Sequence, residues 1–147
     1  MHNWFECKIR YDKMLDAGVT KTVTESYLID ALSFTEAEAR AIEEMKPFIS
    51  GEFTVSDIKR KKFSDTFFSE SGDRYYNVRL YFITVDEKSG SKKRTNVNML
   101  VQASSVDEAW DIVEVEMKKT MIDYWIVSVT ETAIIDVFPY EKSDSDD

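Results

Sequence analysis

Glycine, proline, cysteine and histidine are all scarce in this chain of 147 residues, which holds four, two, one and one of them. Each scarcity excludes something. A lone Cys7 closes no internal disulfide, and Cys7 with His2 cannot supply the clustered ligands of a structural zinc site. A metal would have to be held by carboxylates. Four glycines leave little for a phosphate-cradling loop, and no Walker lysine motif, G-x-G-x-x-G or H-E-x-x-H occurs, which disfavours the common nucleotide enzymes. No apolar run approaches the roughly 18 residues that cross a bilayer. The start, MHNWFECKIRY, has neither a basic nor an apolar leader region. A cytoplasmic protein without membrane contact is therefore expected. Basic residues number 19 against 28 acidic ones, a net charge of −9 that repels polyanions at long range.

What the chain does have is apolar and aromatic material, 43% and 13%, enough for one domain or two small halves. The halves read alike. ALSFTEAEARAIEEM (31–45) and ASSVDEAWDIVEVEM (103–117) agree at six of fifteen positions at a spacing of 72, and WFECKIRY (4–11) meets YYNVRLYF (75–82) at 71. Val55 and Ser56 meet Val127 and Ser128 at 72. Ser33 with Glu36, and Ser105 with Glu108, form S-x-x-E capping signals that open two helices. Phe34, Ala37, Ala41 and Met45 make a helical stripe that Val106, Ala109, Val113 and Met117 repeat, and Pro47 closes the first helix.

Strand periodicity sends Phe5, Cys7, Ile9 and Tyr11 to one side, with Tyr76, Val78, Leu80 and Phe82 as counterparts. Second strands are expected near 23–31 and 94–103, the latter entered through the Ser-Gly turn of DEKSGSKK, and third strands near 52–60 and 123–132. The expected fold is α+β: a tandem duplication of a β-β-α-β unit, strand order 2-1-3, mainly antiparallel, helices on one face, with a pseudo-two-fold between the copies. Residues 1–70 and 71–140 are the two repeats, packed as one compact unit, and 141–147 is a disordered acidic tail.

The segments HNWFECKIRY, ALSFTEAEARAIEEM, PFISGEFTVSDIKR, FITVDEKSGSKKRT and SVTETAIIDVFPY resemble an uncharacterised family of Bacteroidetes proteins, also carried by phages and mobile elements and known only as a domain of unknown function. The resemblance spans residues 2–140. It implies a small stand-alone cytoplasmic protein and carries over no catalytic or binding residue.

Cys7 falls on an inward strand face and His2 at an end of the chain, so neither is expected to do chemistry. The acidic residues of the helices, Glu36, Glu38, Glu43 and Glu44, and Asp107, Asp111, Glu114 and Glu116, suit solvated faces and helix dipoles. Glu131 and Asp136 are a weaker carboxylate option for a cation. No catalytic residue, cofactor or metal is expected, and a carboxylate- or metal-dependent enzyme ranks last.

The better candidate is the sheet face opposite the core. There Trp4, Lys8, Arg10, Tyr75, Arg79 and Tyr81 interleave aromatic and cationic groups beside Thr24, Ser26, Thr54, Asn96, Asn98 and Ser128. Such a face suits a ligand, a homo-oligomer interface or simple solvation. The basic run Lys59, Arg60, Lys61 and Lys62 has no counterpart in the second half. If a strand continues through it, half its charges point each way, and lysines at a strand edge also deter aggregation. The leading expectation is a non-catalytic binding protein, a homo-oligomer engaging a host protein or small anionic ligand. The alternative is a single-stranded nucleic-acid binder using the face and the basic run.

Overall fold

The computed structural model describes residues 2–140. In chain order the elements are β1 (Trp4–Met14), β2 (Thr20–Asp30), α1 (Phe34–Met45), β3 (Phe53–Lys61), β4 (Asp65–Phe67), β5 (Arg74–Val85), β6 (Lys92–Ala103), α2 (Val106–Met117), β7 (Asp123–Glu131) and β8 (Ile134–Phe138). They make an α+β protein with two mixed four-stranded sheets, ordered β3-β1-β2-β8 and β4-β6-β5-β7. The chain divides into two compact units: unit 1 holds residues 2–62 and 133–140 of the described chain, unit 2 residues 63–132.

The helices begin where the capping signals lie. Ser33 Oγ accepts from the Glu36 amide at 3.1 Å while Glu36 reaches back to the Leu32 amide at 2.5 Å. Ser105 Oγ accepts from the Glu108 amide at 3.0 Å, and Glu108 reaches the Ser104 amide at 2.6 Å. In each case one orphan donor of the first turn and the amide just before the cap are satisfied. The hairpins close through backbone that few residues tolerate. Gly90 (φ 72) turns β5 into β6, and Ala17 (φ 67) with Gly18 (φ 75) turns β1 into β2.

Strand alternation then sorts the side chains. In unit 1 Phe5, Cys7, Ile9 and Ile29 pack beneath Ala37, Ala41 and Met45 of α1. In unit 2 Tyr76, Val78, Leu80, Met99 and Val101 pack beneath Ala109, Val113 and Met117 of α2. The alanines let helix and sheet approach closely, and each large side chain removed from water contributes about 1.5–3 kcal/mol. Phe34 and Val106, the first members of the two stripes, stay exposed at the rim, Phe34 meeting Phe5 edge-on at 4.9 Å.

Sequence periodicity does not reveal the fourth strand of each sheet. β4 lies parallel to β6, with Asp65, Thr66 and Phe67 opposite Met99, Leu100 and Val101. β8 lies parallel to β2, with Asp136, Val137 and Phe138 opposite Tyr27, Leu28 and Ile29. Phe67 and Phe138 both pack against the helix-side clusters of their sheets. The compact units consequently depart from the expected boundaries of 1–70 and 71–140: residues 63–70 belong with unit 2 and 133–140 with unit 1. The third strands also compare differently. Asp57 lies opposite Lys8 and Ser128 opposite Arg79, so the ladders relate β3 to β7 at a spacing of 71, one residue from the spacing of 72 read in the sequence. The expected tail, 141–147, lies outside the described residues.

Gly72 sits where a Cβ would lie 2.6 Å from the Ala103 backbone, and its carbonyl accepts from Gln102 Nε2 at 2.9 Å. Gly72→Ala should therefore destabilise the protein by about 1–3 kcal/mol in chemical denaturation, because backbone and not a flexible side chain must yield. Ser33→Ala and Ser105→Ala should each cost about 1 kcal/mol at neutral pH. The hydroxyl of Tyr140 and the Leu32 amide hold the Glu36 carboxyl below its ordinary value, and the Ser104 amide and hydroxyl do so for Glu108. The stability these carboxylates supply is present above their ordinary value of 4.5 and is lost as pH falls through the lowered native value. Hydrogen exchange at the first turns of α1 and α2, compared above and below that range, checks this.

Candidate functional site

The open face of unit 2 gathers the aromatic-cationic group. Tyr81 on β5 lies directly opposite Asn96 on β6 and Trp125 on β7, and Arg79 lies opposite Asn98 and Ser128. Arg94 stands over the Tyr81 ring at 4.9 Å and within 6.0 Å of the Trp125 ring centre. Arg79 approaches the Tyr81 ring at 5.6 Å, donates to its hydroxyl at 3.2 Å and reaches Asn96 Oδ1 at 3.4 Å. Tyr81 and Trp125 are 6.5 Å apart and tilted, and Asn77 donates to Asn98 at 3.1 Å. Trp125 remains 57% exposed. Each cation over a ring contributes about 0.5–1 kcal/mol, which helps hold the guanidinium in place.

Strand alternation alone misplaces Trp125. Counting back by twos from Ser128, an open-face residue, leaves Trp125 on the helix side. The ladder instead shifts between Arg79 and Leu80: Arg79 meets Ser128 but Leu80 meets Ile126, so Val127 is extra. That bulge reverses the alternation and turns Trp125 outward beside Tyr81. Arg94 carried a sequence signal as part of a basic hairpin end; its seat on two rings did not.

The other expected members of the face are placed differently. Trp4 is 3% and Tyr75 7% exposed, so neither presents a ring to solvent, and Leu28, Leu100 and Ser26 are buried as well. The face is open only toward its outer end. In unit 1 that end carries Lys8, opposite Ser26 and Asp57, and Arg10, opposite Thr24 and Thr54, with no exposed aromatic partner in the ladder. The structure thus brings Arg79 and Tyr81 together with Arg94 and Trp125, whereas among the described residues the ladder partners of Lys8 and Arg10 are Ser26, Asp57, Thr24 and Thr54.

The basic run lies on β3 and just beyond it. Lys61 pairs with Glu6 at 3.6 Å, and Arg60 donates to Asn3 Oδ1 at 3.1 Å and lies 5.8 Å from the Phe5 ring centre. Lys59 lies opposite Glu6, and Lys62 follows the strand, exposed. Lys59 and Lys61 share the face of Glu6 and Trp4, and Arg60 takes the face of Phe5.

His2, read from sequence as incidental, has a structural role. Its Nδ1 lies 2.5 Å from Oδ2 of Asp30, and its ring stacks on Trp4 at 4.8 Å. Asp30 is 2% exposed and also accepts from the Asn3 amide at 3.1 Å. Arg40 donates to the Asp30 carbonyl and reaches the carbonyls of Phe138 and Pro139 at 3.4 Å, while the Tyr140 hydroxyl donates to Glu36. A second polar group sits at the outer end of the helix side, where Tyr11 and Tyr27 both donate to Glu25 at 3.0 Å. Burial, then this carboxylate, pushes the Tyr27 hydroxyl well above its ordinary value. Both groups close on partners within unit 1 and bind its strands and helix together.

Among the described residues no group of three or more His, Cys, Asp or Glu could hold a metal ion, and no helix is long and apolar enough to cross a membrane. Cys7 is fully buried; burial, with Glu6 and Glu38 adding to it, pushes its thiol from 9.0 up to about 12. Such a thiol is protonated and shielded, hence a poor nucleophile. A thiol-reactive disulfide should leave native protein unlabelled and label it fully in denaturant. The native state keeps a proton that the unfolded chain loses, so this residue's contribution to stability should fall as pH rises from 9.0 toward 12.

No curated protein and no solved structure matches the chain. The family described as Domain of unknown function (DUF4494) matches residues 3–140, and the chain belongs to that family.

Proposed function

We propose that the protein is a non-catalytic binding protein that takes a small anionic ligand on the open face of unit 2. The observation that carries this is Arg94 and Arg79 held against Tyr81, at 4.9 and 5.6 Å, beside an exposed Trp125. A solvated sheet face has no need of an exposed indole among fixed guanidiniums, whereas an oxyanion site uses both: the rings position planar forks that pair with phosphate or carboxylate oxygens. A small ligand is favoured over a nucleic-acid strand because Arg60 and Lys61 of the basic run have partners within unit 1. A net charge of −9 also repels a polyanion more than a compact anion.

The same proposal includes a tandem origin for the two halves, with a pseudo-two-fold between the copies. It is supported by paired caps, matched helix stripes and a parallel fourth strand in each sheet. Self-association is included too, supported by β7 being the outer strand of its sheet with Val127 exposed. A cytoplasmic place, a phage or mobile-element origin and a host-protein partner complete the proposal and rest on the resemblance and on the free, buried Cys7.

Native mass spectrometry of protein taken from its natural host should show a retained small anion, and adding that anion at a hundred times its Kd should stabilise the native state by about 2.7 kcal/mol. Arg79→Ala with Arg94→Ala should abolish retention and stabilisation while leaving the fold intact. A retained ligand indifferent to that pair of changes, or retention of nucleic acid in its place, overturns the proposal.

A further inference from the structure

Resting on that reading, we infer that the ligand is a mononucleotide, its base stacked on Trp125 and its phosphate held by Arg94 and Arg79. Three chemistries lie together on the face. The first is an exposed π surface. Trp125 is 57% exposed, whereas the Tyr81 ring is approached by both guanidiniums. The second is a fixed pair of cations, with Arg94 reaching both rings. The third is the amide row of Asn96 and Asn98 on β6, in register with Tyr81 and Arg79, whose Oδ1 atoms accept from Arg79 and Asn77 and whose amide nitrogens offer donors to the edge of a planar ring.

A simple dicarboxylate would occupy the arginines and leave the indole and the amide nitrogens unused, so it accounts for only one of the three. A nucleoside phosphate engages all three. Its size follows from the ring count: with the Tyr81 ring approached by both guanidiniums and the Trp125 ring by Arg94 alone, at 6.0 Å, Trp125 is the platform for one base. Asp123 lies two residues from Trp125, opposite Ile83 on the same open face, where its carboxylate can accept a ribose hydroxyl. The site lacks a glycine loop and a helix N-terminus, so recognition runs through arginine and indole side chains and not through backbone amides.

The test uses the full chain carrying Trp110→Phe, which leaves Trp125 as the exposed indole because Trp4 is buried. Fluorescence titration with 5′-AMP, GMP, CMP and UMP should give saturable, one-to-one quenching with at least one of them. Read by isothermal titration calorimetry, because removing Trp125 removes the fluorescent reporter, Trp125→Leu and Arg94→Ala should each weaken that binding by about tenfold or more, the range expected for losing a stacked base or a charged contact. Circular dichroism confirms that these exposed variants fold, and Arg94→Lys should recover part of the loss. Inorganic phosphate binding as tightly as any nucleotide, with Trp125→Leu without effect, sinks the nucleotide while leaving an anion site. Binding of an oligonucleotide of about eight residues with none of the monophosphates transfers the site to single strands and overturns this inference together with the small-ligand reading. Binding of neither, alongside a different retained anion lost on Arg79→Ala with Arg94→Ala, overturns the nucleotide alone.

Discussion

Each sheet has one helix to cover it, and that single constraint organises both units. A sheet of four strands needs its apolar rows buried, and one helix of twelve residues shields one face only. The inward rows of β1 and β5 meet three small or flexible side chains from each helix, Ala37, Ala41 and Met45 in one unit and Ala109, Val113 and Met117 in the other. The opposite face therefore keeps its polar character toward its outer end, and polar residues there are free to serve recognition without weakening the core.

The two units then diverge where the frame allows it. Glu25, Tyr11 and Tyr27 form a polar group in unit 1 where unit 2 packs Val97, Phe82 and Met99. Asp30, bonded to His2 and the Asn3 amide, stands where unit 2 has Gln102, which bridges Ser69 and Gly72. Conversely, Tyr81 and Trp125 stand on unit 2's open face where unit 1 has Arg10 and Thr54 in the corresponding pair. Unit 1 spends its polar chemistry on holding itself together, and unit 2 displays its own outward. That division, more than any one residue, is why the candidate site belongs to unit 2.

Sequence alone made the helices legible because a cap is local: Ser33 and Glu36, or Ser105 and Glu108, need only each other and the first turn. The inward rows were legible because strand periodicity is local too, and Cys7 was correctly placed in the core on that basis. The strands β4 and β8 were not legible. Three residues, DTF, carry no period, and IIDVF interrupts its apolar run with Asp136; both become strands through pairing with β6 and β2, distant in the chain. Of the candidate face, Arg79 and Tyr81 were read correctly as outward neighbours, whereas Trp4 and Tyr75 share their alternation and are nonetheless buried. Alternation tells which side of a sheet a residue takes and says nothing of what covers that side.

What the amino-acid order determined by itself was the local grammar: two capped helices, two long hairpins, and the side on which the apolar residues of β1 and β5 stand. Tertiary structure alone decided the fourth strand of each sheet, the bulge at Val127 that turns Trp125 toward Tyr81, and the engagement of His2 by Asp30. The physical reason is range. Capping and periodicity act within a few residues, while ladder partners and bulges are settled by which strand comes to lie alongside, a choice made by long-range burial and by backbone hydrogen bonds that the order of residues does not display.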